Sequence, residues 1–111
     1  MAKRRGEVVV EESSGNVFAD LGLSEPEERL AKADLAIAIS REIGSRGLTQ
    51  EEAADLLGVA QPDISNLTRG RLSGYSIERL TRLLNTLGQD VEIRIRPASR
   101  GERGRLRVAV G

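Results

Sequence analysis

The stretch Leu48 to Gly70, LTQEEAADLLGVAQPDISNLTRG, constrains the fold more than any other part of the chain. Thr49 followed three residues later by Glu52 is the pairing that starts a helix: the hydroxyl accepts from the amide of residue 52 and the carboxylate from that of residue 49. Gly58 then stops that helix, because glycine takes at little cost the left-handed conformation that side chains disfavour. Pro62 suits the first turn of a second helix, where its missing amide hydrogen leaves no bond unmade, and Gly70 stands where that helix should close. Helices this short do not persist alone in water. They must pack on each other and on a larger core, with Ala53 and Ala54 small where the two cross and Val59, Ile64 and Leu67 filling the wedge between them.

The rest of the chain offers that core as further helices. In SEPE, Ser24 can cap, Pro26 fits the first turn, and Glu27 stands three residues after the cap. The helix it opens should run to about Ser45 and end at Gly44 and Gly47. Leu30, Ala33 and Ile37 form one apolar stripe and Leu35, Ile39 and Ile43 another, so this helix is expected at the centre of the bundle. Ser76 caps a last helix in which Ile77, Leu80, Leu83, Leu84 and Leu87 face inward and Gly88 closes. Upstream, GNVFADLGL carries Val17, Phe18, Leu21 and Leu23 at roughly helical spacing and reads as a hook, with Phe18 packing on its own bundle in preference to a partner protein. Only Phe18 and Tyr75 are aromatic in 111 residues, so the core must come from Leu, Ile, Val and Ala. That favours packed helices over a sandwich.

From Asp90 the period falls to two. Val91, Ile93 and Ile95 alternate with Glu92, Arg94 and Arg96 as far as Pro97, which describes a half-buried strand. ASRGERG is a flexible basic connection, and RLRVAV alternates again over Arg105–Val110. A lone strand is unstable, so the first needs a partner: either the tail strand, completing a hairpin, or its own copy in a second subunit. The expected architecture is all-α, a five-helix-like bundle with a C-terminal β-strand. It forms a homodimer through that strand and the adjoining helix, with Leu84, Leu87, Val91, Ile93 and Ile95 at the interface. A flexible arm over 1–14, a domain over 15–96 and an Arg-rich tail over 97–111 complete the organisation.

The chain contains neither Cys nor His. Disulfides, thiolate metal sites and imidazole catalysis are therefore excluded, and no catalytic residue, metal or cofactor is expected. Glu51 with Glu52, and Glu27 with Glu28, are sequence neighbours that cannot share a helix face, so they read as caps and not as acid/base pairs. The longest apolar run, Leu35–Ile39, is far below the ~20 residues that cross a bilayer, and no apolar signal region follows Met1 to Arg5. A cytoplasmic protein of bacterial type, associated with the nucleoid, is expected.

The net charge is zero, but residues 1–28 carry −4 and residues 69–111 carry +6. An electrostatic footprint is local, since salt screens charges beyond ~8 Å at physiological ionic strength, so neutrality does not exclude a polyanion. Two short helices crossed at a glycine turn expose the N-terminal half of the second, a shape that fits the major groove of DNA. Aligned on Gly58, the groove-facing positions are Ala60, Gln61, Pro62, Ser65, Asn66 and Arg69. The amides of Gln61 and Asn66 can pair with an adenine edge, and Ser65 with a base or a phosphate. Arg69 and Arg71 should hold phosphates, or Arg69 one guanine, while Thr49 and Gln50 contact the DNA backbone and fix register. Asp63 fits poorly, because it meets phosphate repulsion unless it accepts from a cytosine or points away. Arg94 and Arg96 read as a solvated face. The tail arginines 100, 103, 105 and 107 divide evenly among solvation, phosphate attraction and protein contact.

TQEEAADLLGVAQPDISNLTRG resembles the helix-turn-helix of the Xre, or lambda-repressor-like, family. With GNVFADLGL, KADLA and LLNTLGQDVEIRIRP in the same order, the resemblance extends from about Gly15 to Pro97 and points to the HigA-like antitoxin branch. The resemblance implies a dimer that represses its own operon at a pseudopalindromic operator and neutralises a RelE-like toxin, an endonuclease of translated mRNA. Two other readings stand beside it: a stand-alone repressor without a toxin, and an interaction module that no longer binds DNA.

Overall fold

The computed structural model describes residues 24–110. The arm over 1–14 and the hook with Phe18 lie outside the described residues. Four helices follow in order: α1 (Glu25–Ser45), α2 (Gln50–Leu57), α3 (Gln61–Thr68) and α4 (Ile77–Thr86). Their starts lie where local side-chain chemistry places them. Ser24 Oγ accepts from the Glu27 amide at 3.3 Å, the Glu52 amide donates to Thr49 Oγ1 at 3.1 Å while the Thr49 amide donates to Glu52 Oε1 at 3.0 Å, and Ser76 Oγ accepts from the Arg79 amide at 3.0 Å. The ends share one device, an amide that reaches back five residues: Leu48 to Ile43, Val59 to Ala54, Arg71 to Asn66 and Gln89 to Leu84, at 3.1, 3.0, 2.8 and 2.9 Å. Such a closure needs a left-handed residue just before the returning amide. Gly58 is that residue after α2, at φ 68° and ψ 32°. Gly44, by contrast, lies inside α1.

α1 packs chiefly against α4 and also against α3, while α2 packs against α3 and α4. Ile39, Ile64, Leu67, Leu80 and Leu87 are the largest fully buried side chains, joined in one core by Leu35, Ile43, Leu57, Tyr75 and Leu84. Tyr75 lies under the guanidinium of Arg79, 4.6 Å from ring centroid to Cζ. At the far end, Arg46 donates to Glu42 Oε1 at 3.0 Å and to the carbonyl of Leu87, tying the end of α1 to the end of α4.

Three expectations are corrected here. First, the described residues form no β-sheet: 91–96 and 105–110 belong to no helix or strand, with one bridge residue at Arg94. The alternation is real, since Val91, Leu106 and Val108 pack against the helical core. A period of two reports that one side of a segment is buried, and among the described residues the helical core covers that side with no ladder of strand hydrogen bonds. Second, α1 is central, but only its Leu35–Ile39–Ile43 stripe is buried; Leu30 is 62% and Ile37 49% exposed. Third, Leu84 and Leu87 are 5% and 0% exposed within the chain's own core. Of the five residues assigned to dimerisation, Val91 and Ile93 are half-buried and Ile95 is 56% exposed.

The basic tail also has a definite place. Arg103 Nη1 donates to Glu27 Oε1 at 2.6 Å, and the Leu106 amide donates to Glu27 Oε2 at 3.3 Å. Those two bonds, the Arg103 bond first, hold the Glu27 carboxyl below the usual carboxylate range. The tail is thus fastened to the first turn of α1.

Candidate nucleic-acid interface

α3 presents its outer side by simple helical arithmetic. Ile64 and Leu67 point into the core at 0% and 1% exposure. At 3.6 residues per turn, Pro62, Ser65, Asn66 and Arg69 then share the side turned away from it. Pro62 and Arg69 are exposed and Ser65 and Asn66 half-buried. Gln61 and Ala60 are exposed at the leading edge of the helix, where a groove-bound α3 would meet base edges first. Thr49, Gln50 and Arg71 are exposed as well. The nine residues assigned to the interface therefore lie on α3, its flanks and the start of α2, and the structure buries none of them.

The packing under α3 explains why this helix stands proud. α2 carries Ala53 and Ala54 at 0% and 5% exposure against it, and small side chains allow two helices to approach closely. Gly58, Val59 and Ala60 make the turn between them, so the outer side of α3 is left clear of its own partner helix.

Asp63, the misfit of the sequence, has a structural role. It lies off the outer stripe, and its Oδ2 accepts from the Ala60 amide at 3.2 Å. Ala60 has no side-chain oxygen with which to cap α3, so the carboxylate three residues on takes one of the amides that a helix start leaves unpaired. The Tyr75 hydroxyl lies 3.5 Å from the Asp63 carbonyl oxygen, which pins the same turn from the α4 side. Sequence reasoning did not assign this cap. Its signal was local: an acid at the third position of a helix whose cap residue is alanine.

Glu52 faces the same test. Its carboxyl is held below the ordinary value of 4.5 by the Thr49 amide first and the Thr49 hydroxyl second. It thus caps α2. Among the described residues no group of His, Cys, Asp and Glu could hold a metal ion, and no helix is long and apolar enough to cross a membrane.

Known proteins share this arrangement. A family model described as a helix-turn-helix domain matches residues 17–96. The solved structure of a protein named as an XRE-family transcriptional regulator is 43% identical, with a TM-score of 0.75; the match covers 79% of this chain and 100% of that one. The chain belongs to the XRE helix-turn-helix family. A comparison with curated proteins finds no match. The family match takes in α1 to α4 and the extended 91–96 segment, and stops before the Glu27-fastened tail. It also begins at Val17, so part of the hook belongs to the family's unit.

Proposed function

We propose that this chain is a sequence-specific DNA-binding transcriptional regulator that acts as a homodimer on a pseudopalindromic operator. The observation that carries the reading is the outer stripe of α3, where Pro62, Ser65, Asn66 and Arg69 stand clear of the core. Gln61 and Asn66 read adenine edges, Ser65 a base or phosphate, Arg69 and Arg71 phosphates, and Thr49 and Gln50 the backbone that sets register. One module of this size contacts too few base pairs for high selectivity. Two copies reading half-sites about 34 Å apart overcome that, joined through the Val91, Ile93 and Ile95 edge with Leu84 and Leu87 supporting it from beneath.

The test is an operator titration. Asn66→Ala should weaken binding by about 1–3 kcal/mol with the loss confined to one base pair per half-site, whereas Arg71→Ala should weaken binding to all sequences alike. Unchanged affinity in both variants would refute the groove assignment. A promoter gel shift that shows nothing even at low salt, where phosphate contacts are strongest, would leave the interaction module as the reading.

The HigA-like order of GNVFADLGL, KADLA and LLNTLGQDVEIRIRP adds a second partner, a RelE-like toxin neutralised by direct binding. Co-expression with the product of the neighbouring reading frame, followed by a pull-down, tests it. A neighbouring frame that encodes no small basic protein would leave the stand-alone repressor.

A further inference from the structure

α1 has apolar side chains on two opposite sides. Ala31, Leu35, Ile39 and Ile43 face the core, and Leu30, Ala33 and Ile37 lie on the other side, with Leu30 62% and Ile37 49% exposed. A helix that is apolar all round is ordinarily covered all round. Charge singles out the same side. Of the eight charged residues of α1, six are paired within the chain: Glu25 with Arg29, Glu28 with Lys32, Glu42 with Arg46 and Glu27 with Arg103. The other two, Asp34 and Arg41, have no ion-pair partner among the described residues, although Arg107 borders the same groove as Asp34. Asp34 is half-buried and Arg41 exposed. They stand about two turns apart on the outward side, with Ile37 between them.

We propose that a second copy of the chain covers this side, with the two α1 helices antiparallel about a twofold axis beside Ile37. A contact across a twofold axis is reciprocal: whatever residue one copy meets on the other, that residue meets it in return. Asp34 and Arg41 satisfy this condition. With the axis midway between them, each Asp34 lies level with Arg41 of the partner subunit, and one contact makes two ion pairs. Size agrees with charge. Leu30 then lies level with Gly44 and Ser45 of the partner subunit, which are small and exposed, so the two helices can approach closely. Leu30, Ile37 and Gly44 also recur every seven residues, the repeat by which two helices share a seam. A parallel pair would set each residue level with its own copy and lose both ion pairs. The contact uses none of the nine residues assigned to DNA and none of the five assigned to the dimer at the 91–95 edge, so it is a second self-contact, beyond that of the proposed function.

The chain has no cysteine, so a single introduced thiol reports cleanly. In the full-length protein without DNA, Ile37→Cys should close a disulfide between two chains under mild oxidation, because a residue beside the axis meets its own copy within the Cα separation of about 7 Å that such a bond needs. Leu30→Cys, at the more exposed position, should not close one, because the antiparallel pair sets the two copies of residue 30 about 22 Å apart along the helices. Adding Arg41→Asp to Ile37→Cys should slow the cross-link about tenfold at low salt, two attractions having become repulsions. Adding Asp34→Arg to that variant should restore the rate. The proposal is overturned by no cross-link at residue 37, by one at residue 30 that forms as fast, or by a rate that Arg41→Asp leaves unchanged. A folded triple variant that stays slow overturns it as well. The first three outcomes involve exposed positions alone, so they decide the matter even where Asp34→Arg, at a half-buried position, fails to fold.

Discussion

Asp63→Asn separates two roles for one carboxylate by the sign of its effect on DNA binding. As a cap, Asp63 accepts from the Ala60 amide at 3.2 Å and sits at the positive end of α3. Asparagine keeps an acceptor oxygen in the same place and loses the charge. The cost to folding should therefore be the dipole part alone, about 0.3–1 kcal/mol. On DNA the change runs the other way. Taking a phosphate at roughly 10 Å in a solvent-like dielectric, each repulsion removed is worth about 0.4 kcal/mol before salt screening. Two flanking phosphates then give roughly a two- to fourfold gain in affinity per half-site at low salt.

Denaturant unfolding measures the first number, and fluorescence anisotropy with an operator duplex measures the second. The capping role predicts lower stability together with tighter binding, equal across operator variants. If binding instead weakens, and weakens only on operators that keep a C·G pair at one position, Asp63 is a base reader and the geometry of α3 on DNA must be redrawn.

Two further outcomes follow from local geometry. Gly58→Ala should cost about 1–2 kcal/mol in denaturant unfolding, because the backbone there is left-handed at φ 68° while an added methyl meets nothing within 4 Å; a cost near zero would mean that the turn between α2 and α3 relaxes freely. The Glu52 carboxyl is held below 4.5 in the folded chain, so its contribution is present above that value and is lost as pH falls through the folded one. Glu52→Gln should flatten that part of the acid-unfolding curve and leave its neutral-pH slope alone, and an unchanged acid limb would remove the cap from the account.

What the sequence disclosed and what it withheld divide along the distance between partners. The Ser24, Thr49 and Ser76 caps and the Gly58 turn depend on residues within three or four positions of one another, so each could be placed from the chain alone. Glu27 shows the opposite case. Its role as a first-turn acid was legible, but its partners Arg103 and Leu106 lie 76 and 79 residues away, and nothing local distinguishes Arg103 from the other tail arginines. Periodicity misled in a similar way. It identified Val91 and Val108 as half-buried but could not say that, among the described residues, they pack on the helical core. It also could not rank the two stripes of α1, because Leu30 and Ile37 are as apolar as Leu35 and Ile39. At α4 the inward face was legible, and Leu84 and Leu87 are among its buried residues. On the candidate interface, the positions of Ser65, Asn66 and Arg69 on one side followed from helical spacing, and the bond from the Ala60 amide to Asp63, three residues on, was equally local but passed unread beside the charge's misfit with DNA.

The placement of charge yields a last prediction about how such a chain holds a polyanion. From Leu48 to Thr68 there are four acids, Glu51, Glu52, Asp55 and Asp63, and no Lys or Arg. Within the helix pair and its flanks, phosphate attraction therefore begins at Arg69 and Arg71. Several later arginines are engaged within the chain: Arg79 over Tyr75 at 4.6 Å, Arg82 with Glu78 at 2.8 Å and Arg103 with Glu27 at 2.6 Å. If a dimer uses Arg69 and Arg71 from each protomer, about four phosphates are neutralised, the slope of log affinity against log salt is about −3.6, and binding falls about 150-fold between 50 and 200 mM salt. Recruiting the tail arginines 100, 105 and 107 from both protomers would raise the count to about ten and steepen the slope to about −9. Anisotropy titrations across that salt range decide between them, and Arg71→Ala should reduce the slope by about 1.8 in the dimer. A slope near −9 that Arg71→Ala leaves unchanged would mean that the tail, and not the end of α3, holds the DNA.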